Sequence, residues 1–135
     1  MKHLLAAILC LSSVPAFADD YRCTSAMNGG NQALKETRHS FKTGDYAHDR
    51  AMEIFKDESH HYEACKMLAA SQADYHYGVT HAGFAKKDFA EAAFLCTGAT
   101  AQDARDKEVE SKGLESRAGA RESDVRGEYN TRCHS

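Results

Sequence analysis

The sequence is short of proline, tryptophan and large aliphatic residues. Pro15 is the only proline among 135 residues, and tryptophan does not occur. From residue 19 onward there are only four Leu, three Val and one Ile. β-Branched residues favour strands, whereas an alanine-rich chain without interior proline favours helices. These shortages predict an all-α fold, built from antiparallel helical hairpins in a repeat or a small bundle. Its aliphatic core is too thin to hold without covalent links.

Motifs of common catalytic sites are also missing. The chain has no G-x-S-x-G, no phosphate-binding glycine loop and no C-x-x-C. We therefore expect a protein that is not an enzyme and that needs no cofactor.

The histidines do not show the spacing of a metal site. None of them forms an H-x-x-x-H or H-E-x-x-H pair, which would place two imidazoles on one helix face. His61 and Cys65 stand four residues apart and could share a soft metal, but a disulfide-bonded cysteine is not a ligand. We expect no metal site. The alternative is a small-ligand or metal-binding periplasmic protein that uses surface histidines.

Residues 1–18 have the pattern of a secretory signal peptide. A short basic start precedes the apolar run from Leu4 to Val14, and Ala16-Phe17-Ala18 forms an A-x-A cleavage site. This pattern predicts bacterial-type export to the periplasm or the medium, with no membrane insertion after cleavage. Residues 19–135 then form a single all-α domain.

Charge indicates which partners to expect. The net charge is −3, with acidic and basic residues interspersed. Such a chain offers no basic surface for nucleic acid, so we expect none as a partner.

Cleavage removes Cys10 and leaves an even set of cysteines in an oxidising compartment, which predicts two disulfides. The four are Cys23, Cys65, Cys96 and Cys133. The glycines in residues 78–83 suggest a helical hairpin turn, and the midpoint of positions 65 and 96 lies inside it. Of the three possible connectivities we therefore favour Cys65 with Cys96, and Cys23 with Cys133, which would tie the termini together.

Local signals divide the chain further. Residues 19–31 read as an irregular entry, 32–42 as a short helix, and Asp45 as the N-cap of the next helix. A break is expected at residues 57–60. Residues 99–132 are highly charged and read as a partly exposed helical segment supported by acid–base pairs four residues apart.

Two stretches resemble a known repeat family. Residues 50–55 followed by 63–69 are similar to the junction between Sel-like repeats, the bacterial relatives of tetratricopeptide repeats. There a helix of the form A-x-x-x-F leads into one of the form E-A-C-x-x-L-G. Residues 78–79 and 88–92 resemble the family's G-V-x-x-D-x-x-K-A stretch. The resemblance covers about residues 45–100 and implies stacked helix pairs that bind another protein.

Aromatic residues beside the glycines are the candidate contact surface. Tyr75, His76 and Tyr77 are consecutive and would point about 100° apart on a helix, so at least one is expected to be exposed. His81 lies across the expected turn. Exposed Tyr and His are common at recognition surfaces. We expect a protein-binding module, such as an immunity or inhibitor protein against a secreted toxin or hydrolase.

Overall fold

Three long helices make up the structure. The computed structural model describes residues 13–134, with side chains from residue 20 onward. The helices are α1 (Ser13–Ile54), α2 (His61–Leu95) and α3 (Gly98–Cys133), and a 3₁₀ turn (Glu58–His60) joins the first two. The described part of the chain contains no strand, which confirms the all-α prediction. Residues 1–12 of the predicted signal peptide lie outside the described range.

The helices run up, down and up, with α2 in the centre. Both α1 and α3 pack closely along α2, whereas their backbones approach each other at few points. Long polar side chains bridge α1 and α3 instead: Lys107 Nζ donates to Asn31 Oδ1 at 2.9 Å, and Arg38 pairs with Glu110. Within the described residues, no helix combines the length and apolarity needed to cross a membrane.

Small residues allow the close packing on α2. Most of the buried apolar side chains in the described range are alanines, and Tyr75 and Phe89 are the largest fully buried ones. The Phe89 ring lies against the backbone of Gly30, and the Tyr75 ring lies against Gly44. The thin aliphatic core that the composition predicts is therefore filled by alanine contacts and two aromatic rings.

The hairpin turn predicted at residues 78–83 does not exist, because α2 passes through this segment without interruption. A Cβ on Gly78 would lie 3.4 Å from Ala118 Cβ and 3.7 Å from Ser40 Cβ. Gly78 therefore permits three helices to approach one another, and it does not end a helix. The chain reverses instead at residues 55–60, where a break was predicted, and at residues 96–97.

The predicted disulfide pairing is also wrong. The two bonds join Cys23 to Cys96 and Cys65 to Cys133. Cys65 and Cys96 lie at opposite ends of one continuous helix, about 46 Å apart at 1.5 Å per residue, so they cannot meet. The midpoint of positions 23 and 96 falls in the first turn, and that of 65 and 133 falls just after the second. The expectation of two disulfides is confirmed.

The divisions predicted within the first helix are wrong as well. Residues 19–31 are helical, and 32–42 form no separate helix, since both lie inside α1. Asp45 does not cap a helix. It lies in the middle of α1 and accepts hydrogen bonds from Tyr75 and Arg121. The charged segment 99–132 lies in α3, as predicted.

Candidate interaction surface on the central helix

The four predicted contact residues lie in the middle of α2 and not at a hairpin tip. Tyr75 is 1% exposed and belongs to the core, so its assignment to the surface is wrong. His76 is exposed, and its Nδ1 lies 3.3 Å from Glu122 Oε1 of α3. Tyr77 is 60% exposed, and His81 is half-buried.

Tyr75 has a structural role at the point where all three helices meet. Its hydroxyl donates a hydrogen bond to Asp45 Oδ1 of α1, and Arg121 Nη2 of α3 donates to the same oxygen at 3.0 Å. The Arg121 guanidinium also lies 5.7 Å from the centre of the Tyr75 ring. Burial, together with the carboxylate of Asp45, raises the pKa of the Tyr75 phenol. The phenol therefore stays protonated and serves as a hydrogen-bond donor.

The exposed neighbours of Tyr75 form an aromatic cluster with a residue that the sequence analysis missed. The Tyr77 and His81 rings stack with their centroids 6.3 Å apart, and the His81 ring meets Phe84 edge-on at 6.1 Å. Phe84 is 55% exposed. The three rings lie within two helical turns and present one continuous aromatic surface to solvent.

This cluster belongs to a longer stripe on α2. Four of its large hydrophobic side chains are exposed: Tyr62 (73%), Tyr77 (60%), Phe84 (55%) and Phe94 (88%). At 100° per residue they lie on one side of the helix. Packing against α1 and α3 occupies the remaining sides, so this outer face of α2 has no packing partner among residues 13–134. A spacing of 7 and 10 residues between Tyr77, Phe84 and Phe94 is the sequence signal that could have identified it.

Charged residues lie among the aromatic ones. Lys66 Nζ lies 5.2 Å from the centre of the Tyr62 ring, in cation–π contact. Lys87 and Glu91 are exposed between Phe84 and Phe94. The outer face of α2 is therefore a mixed surface, with aromatic anchors beside single charges of both signs.

The described residues contain no comparable arrangement for binding a metal ion. There is no group of three or more His, Cys, Asp and Glu side chains placed to hold a metal ion. His61 lies beside the Cys65–Cys133 disulfide. The Cys65 sulfur is oxidised in this bond, so it is not a thiolate ligand for a metal shared with His61. Among residues 20–134, no buried side-chain nitrogen or oxygen lacks a hydrogen-bond partner.

Comparison with known proteins finds no matching family, no similar curated protein and no similar solved structure. The resemblance to Sel-like repeats therefore stays a prediction.

Proposed function

We propose that this chain is an exported protein-binding module that acts without catalysis, and that the outer face of α2 is its contact surface. One observation supports this proposal above all. Most buried apolar side chains are alanines, whereas four large aromatic side chains are exposed on a single face of α2. Burying such rings removes large apolar areas from water, so an uncovered row of them favours association.

The shape of the face favours a protein over a small molecule. Small ligands are usually bound in concave pockets that enclose most of their surface. The exposed rings of α2 are spread from residue 62 to residue 94, about 48 Å along the helix at 1.5 Å per residue, which is much longer than one small ligand. Exposed aromatic anchors with polar neighbours are the usual composition of a protein–protein contact.

Two disulfides are typical of proteins from oxidising compartments, which agrees with an extracellular or periplasmic location. Export by the residue 1–18 signal peptide and residence in the periplasm are parts of the proposal. A blocking role, as in an immunity or inhibitor protein, would place a toxin or hydrolase on this face. An assembly role would place another copy of the chain there.

Site-specific cross-linking in the exporting cell tests the proposal. A photoreactive phenylalanine analogue at Tyr77 should form a protein adduct on illumination. The same analogue at Tyr46, a tyrosine on α1 that is slightly more exposed than Tyr77 (69%), should form none. Phe84→Ala should remove the adduct, because truncating a central aromatic anchor costs about 2 kcal/mol, or some thirtyfold in affinity.

Equal labelling from both positions would contradict the proposal, since it would indicate random encounters. An adduct from Tyr77 that survives Phe84→Ala would place the contact surface elsewhere. The melting temperature of each variant, measured in parallel, shows whether the fold is intact.

A further inference from the structure

We infer that the protein on the outer face of α2 is a second copy of this chain, docked antiparallel about a two-fold axis near residues 78 and 79. The inference rests on the proposed function, because it names the partner of the same surface. The inference is argued from the charges and sizes of the exposed side chains along α2.

The molecule itself shows how facing residues are related in its antiparallel helix pairs. Between α2 and α3, Cys65 bonds Cys133, Val79 lies against Gly119, and Gly83 lies against Glu115. In all three pairs the two residue numbers add to 198. A constant sum is the geometric property of antiparallel helices, since one number rises as the other falls. The same rule can be applied to two copies of α2.

Ten exposed positions of the outer face recur at three- and four-residue steps along α2. They are Tyr62, Lys66, Ala69, Ala73, Tyr77, Thr80, Phe84, Lys87, Glu91 and Phe94. About a centre between residues 78 and 79, they pair off with numbers that add to 156 or 157. This seam extends about 48 Å at 1.5 Å per residue, nearly the whole length of α2.

Three of the five pairs that face each other across this centre are complementary. Lys66 of one copy faces Glu91 of the other, so a cation meets an anion. Tyr62 faces Phe94, an aromatic pair. Phe84 faces Ala73, so a large side chain meets a small one. The two-fold axis makes each of these contacts twice, as in an isologous dimer.

Other arrangements lose this complementarity. In a parallel dimer every residue faces its own copy, so Lys66, Lys87 and Glu91 would each meet a like charge. An antiparallel dimer shifted by about one turn in one direction places Lys66 against Lys87. The opposite shift places Lys66 against Phe94 and leaves Glu91 opposite an alanine. Like charges face to face disfavour a partner or register, so the charge pattern selects the register centred at residues 78 and 79.

A charge swap tests both the partner and the register. Sedimentation equilibrium of the oxidised chain at 150 mM salt should show a monomer–dimer equilibrium. Glu91→Lys should raise the dimer dissociation constant about tenfold, because two ion pairs become repulsions. Lys66→Glu combined with Glu91→Lys should restore it to within about threefold of wild type. Asp124→Lys, which makes the same charge change at an exposed position of α3, should leave it unchanged.

Three outcomes would overturn the inference: a monomer at all concentrations, a dimer indifferent to Glu91→Lys, or a weakened dimer that the double variant does not restore. A monomer that still gives the Tyr77 cross-link, lost with Phe84→Ala, would leave the proposed function standing with a different partner. A monomer without that cross-link would remove both.

Discussion

Glycines inside the helices of this protein mark the points where an aromatic ring contacts a neighbouring backbone. A Cβ on Gly30 would lie 2.6 Å from Phe89 Cε1, and one on Gly44 would lie 2.9 Å from Tyr75 Cε1. Both rings are almost fully buried and cannot move aside. Glycine normally weakens a helix by about 0.5–1 kcal/mol relative to alanine. Here that cost is offset by the burial of two large rings between closely packed helices.

Alanine substitutions should therefore have opposite effects at two glycines that both lie inside helices but differ in burial. Gly30→Ala should lower the free energy of unfolding by about 1–3 kcal/mol, because it overpacks the contact with Phe89. Gly113→Ala should raise it by about 0.5–1 kcal/mol, since a Cβ there meets nothing within 4 Å and alanine favours the helix. Chemical denaturation of the oxidised protein measures both. Two changes of the same sign would contradict the role given to Gly30.

At the scale of the helices, each neighbouring pair is closed at both of its ends. A turn joins α1 to α2 at one end, and the Cys23–Cys96 bond joins them near the other. The second turn and the Cys65–Cys133 bond do the same for α2 and α3. The two bonds enclose 73 and 68 residues of sequence and lie at opposite ends of α2.

Loops of this size predict a large contribution from each bond. By the chain-entropy estimate, closing about 70 residues stabilises the fold by about 4 kcal/mol. Replacing Cys65 and Cys133 together by serine should lower the free energy of unfolding by about that amount, and so should the matched Cys23 and Cys96 double variant. Chemical denaturation of both variants measures it.

Peptide mapping without reductant checks the connectivity itself and should recover linked peptides for 23 with 96 and 65 with 133. Recovery of a peptide that links 65 to 96 would mean that α2 is not continuous. A double variant as stable as the wild type would show that the bond is not a stabilising element.

The sequence supports the helical class and the number of disulfides, but not where the chain turns. The break at residues 57–60 was expected, and in the structure Asp57 caps the 3₁₀ turn there by accepting the Ser59 N–H at 3.0 Å. The glycines at 78 and 83 were misread because a glycine that ends a helix and one that admits a neighbouring helix look the same in one sequence. That error moved the expected hairpin, and the cysteine pairing moved with it.

The same ambiguity limits what sequence says about the contact surface. Tyr75 and Tyr77 are chemically alike and two residues apart, yet one is buried against Gly44 and the other faces solvent. The choice depends on which faces α1 and α3 cover, and both helices are remote in sequence. The sequence analysis missed Phe84 and Phe94 because, without knowing which faces are covered, an aromatic stripe on a helix is usually assigned to the core.

For the whole molecule, the three helices differ in how they are held. α2 packs on two neighbours along its length, whereas α3 packs mainly on α2 and reaches α1 through side chains such as Arg38–Glu110 and Arg121–Asp45. Both of these pairs are substantially exposed, and exposed ion pairs contribute little, about 0–1 kcal/mol each. The buried residues of α3 are mostly small. We therefore expect α3 to open first and the packing around α2 to open last.

Amide hydrogen exchange followed by mass spectrometry tests this order. In the oxidised protein the amides of α2 should exchange most slowly, and those of α3 fastest among the three helix interiors, because exchange follows the free energy of local opening. Reduction should unprotect the end of α3 near Val125 first, since Cys133 then no longer ties it to α2. Far-UV circular dichroism should show helicity falling at the same time, because the alanine core alone does not offset the entropy of ordering helices of this length. If α1, α2 and α3 lost protection together on reduction, the molecule would unfold as a single cooperative unit. The expected order of opening, with α3 first and α2 last, would then be wrong.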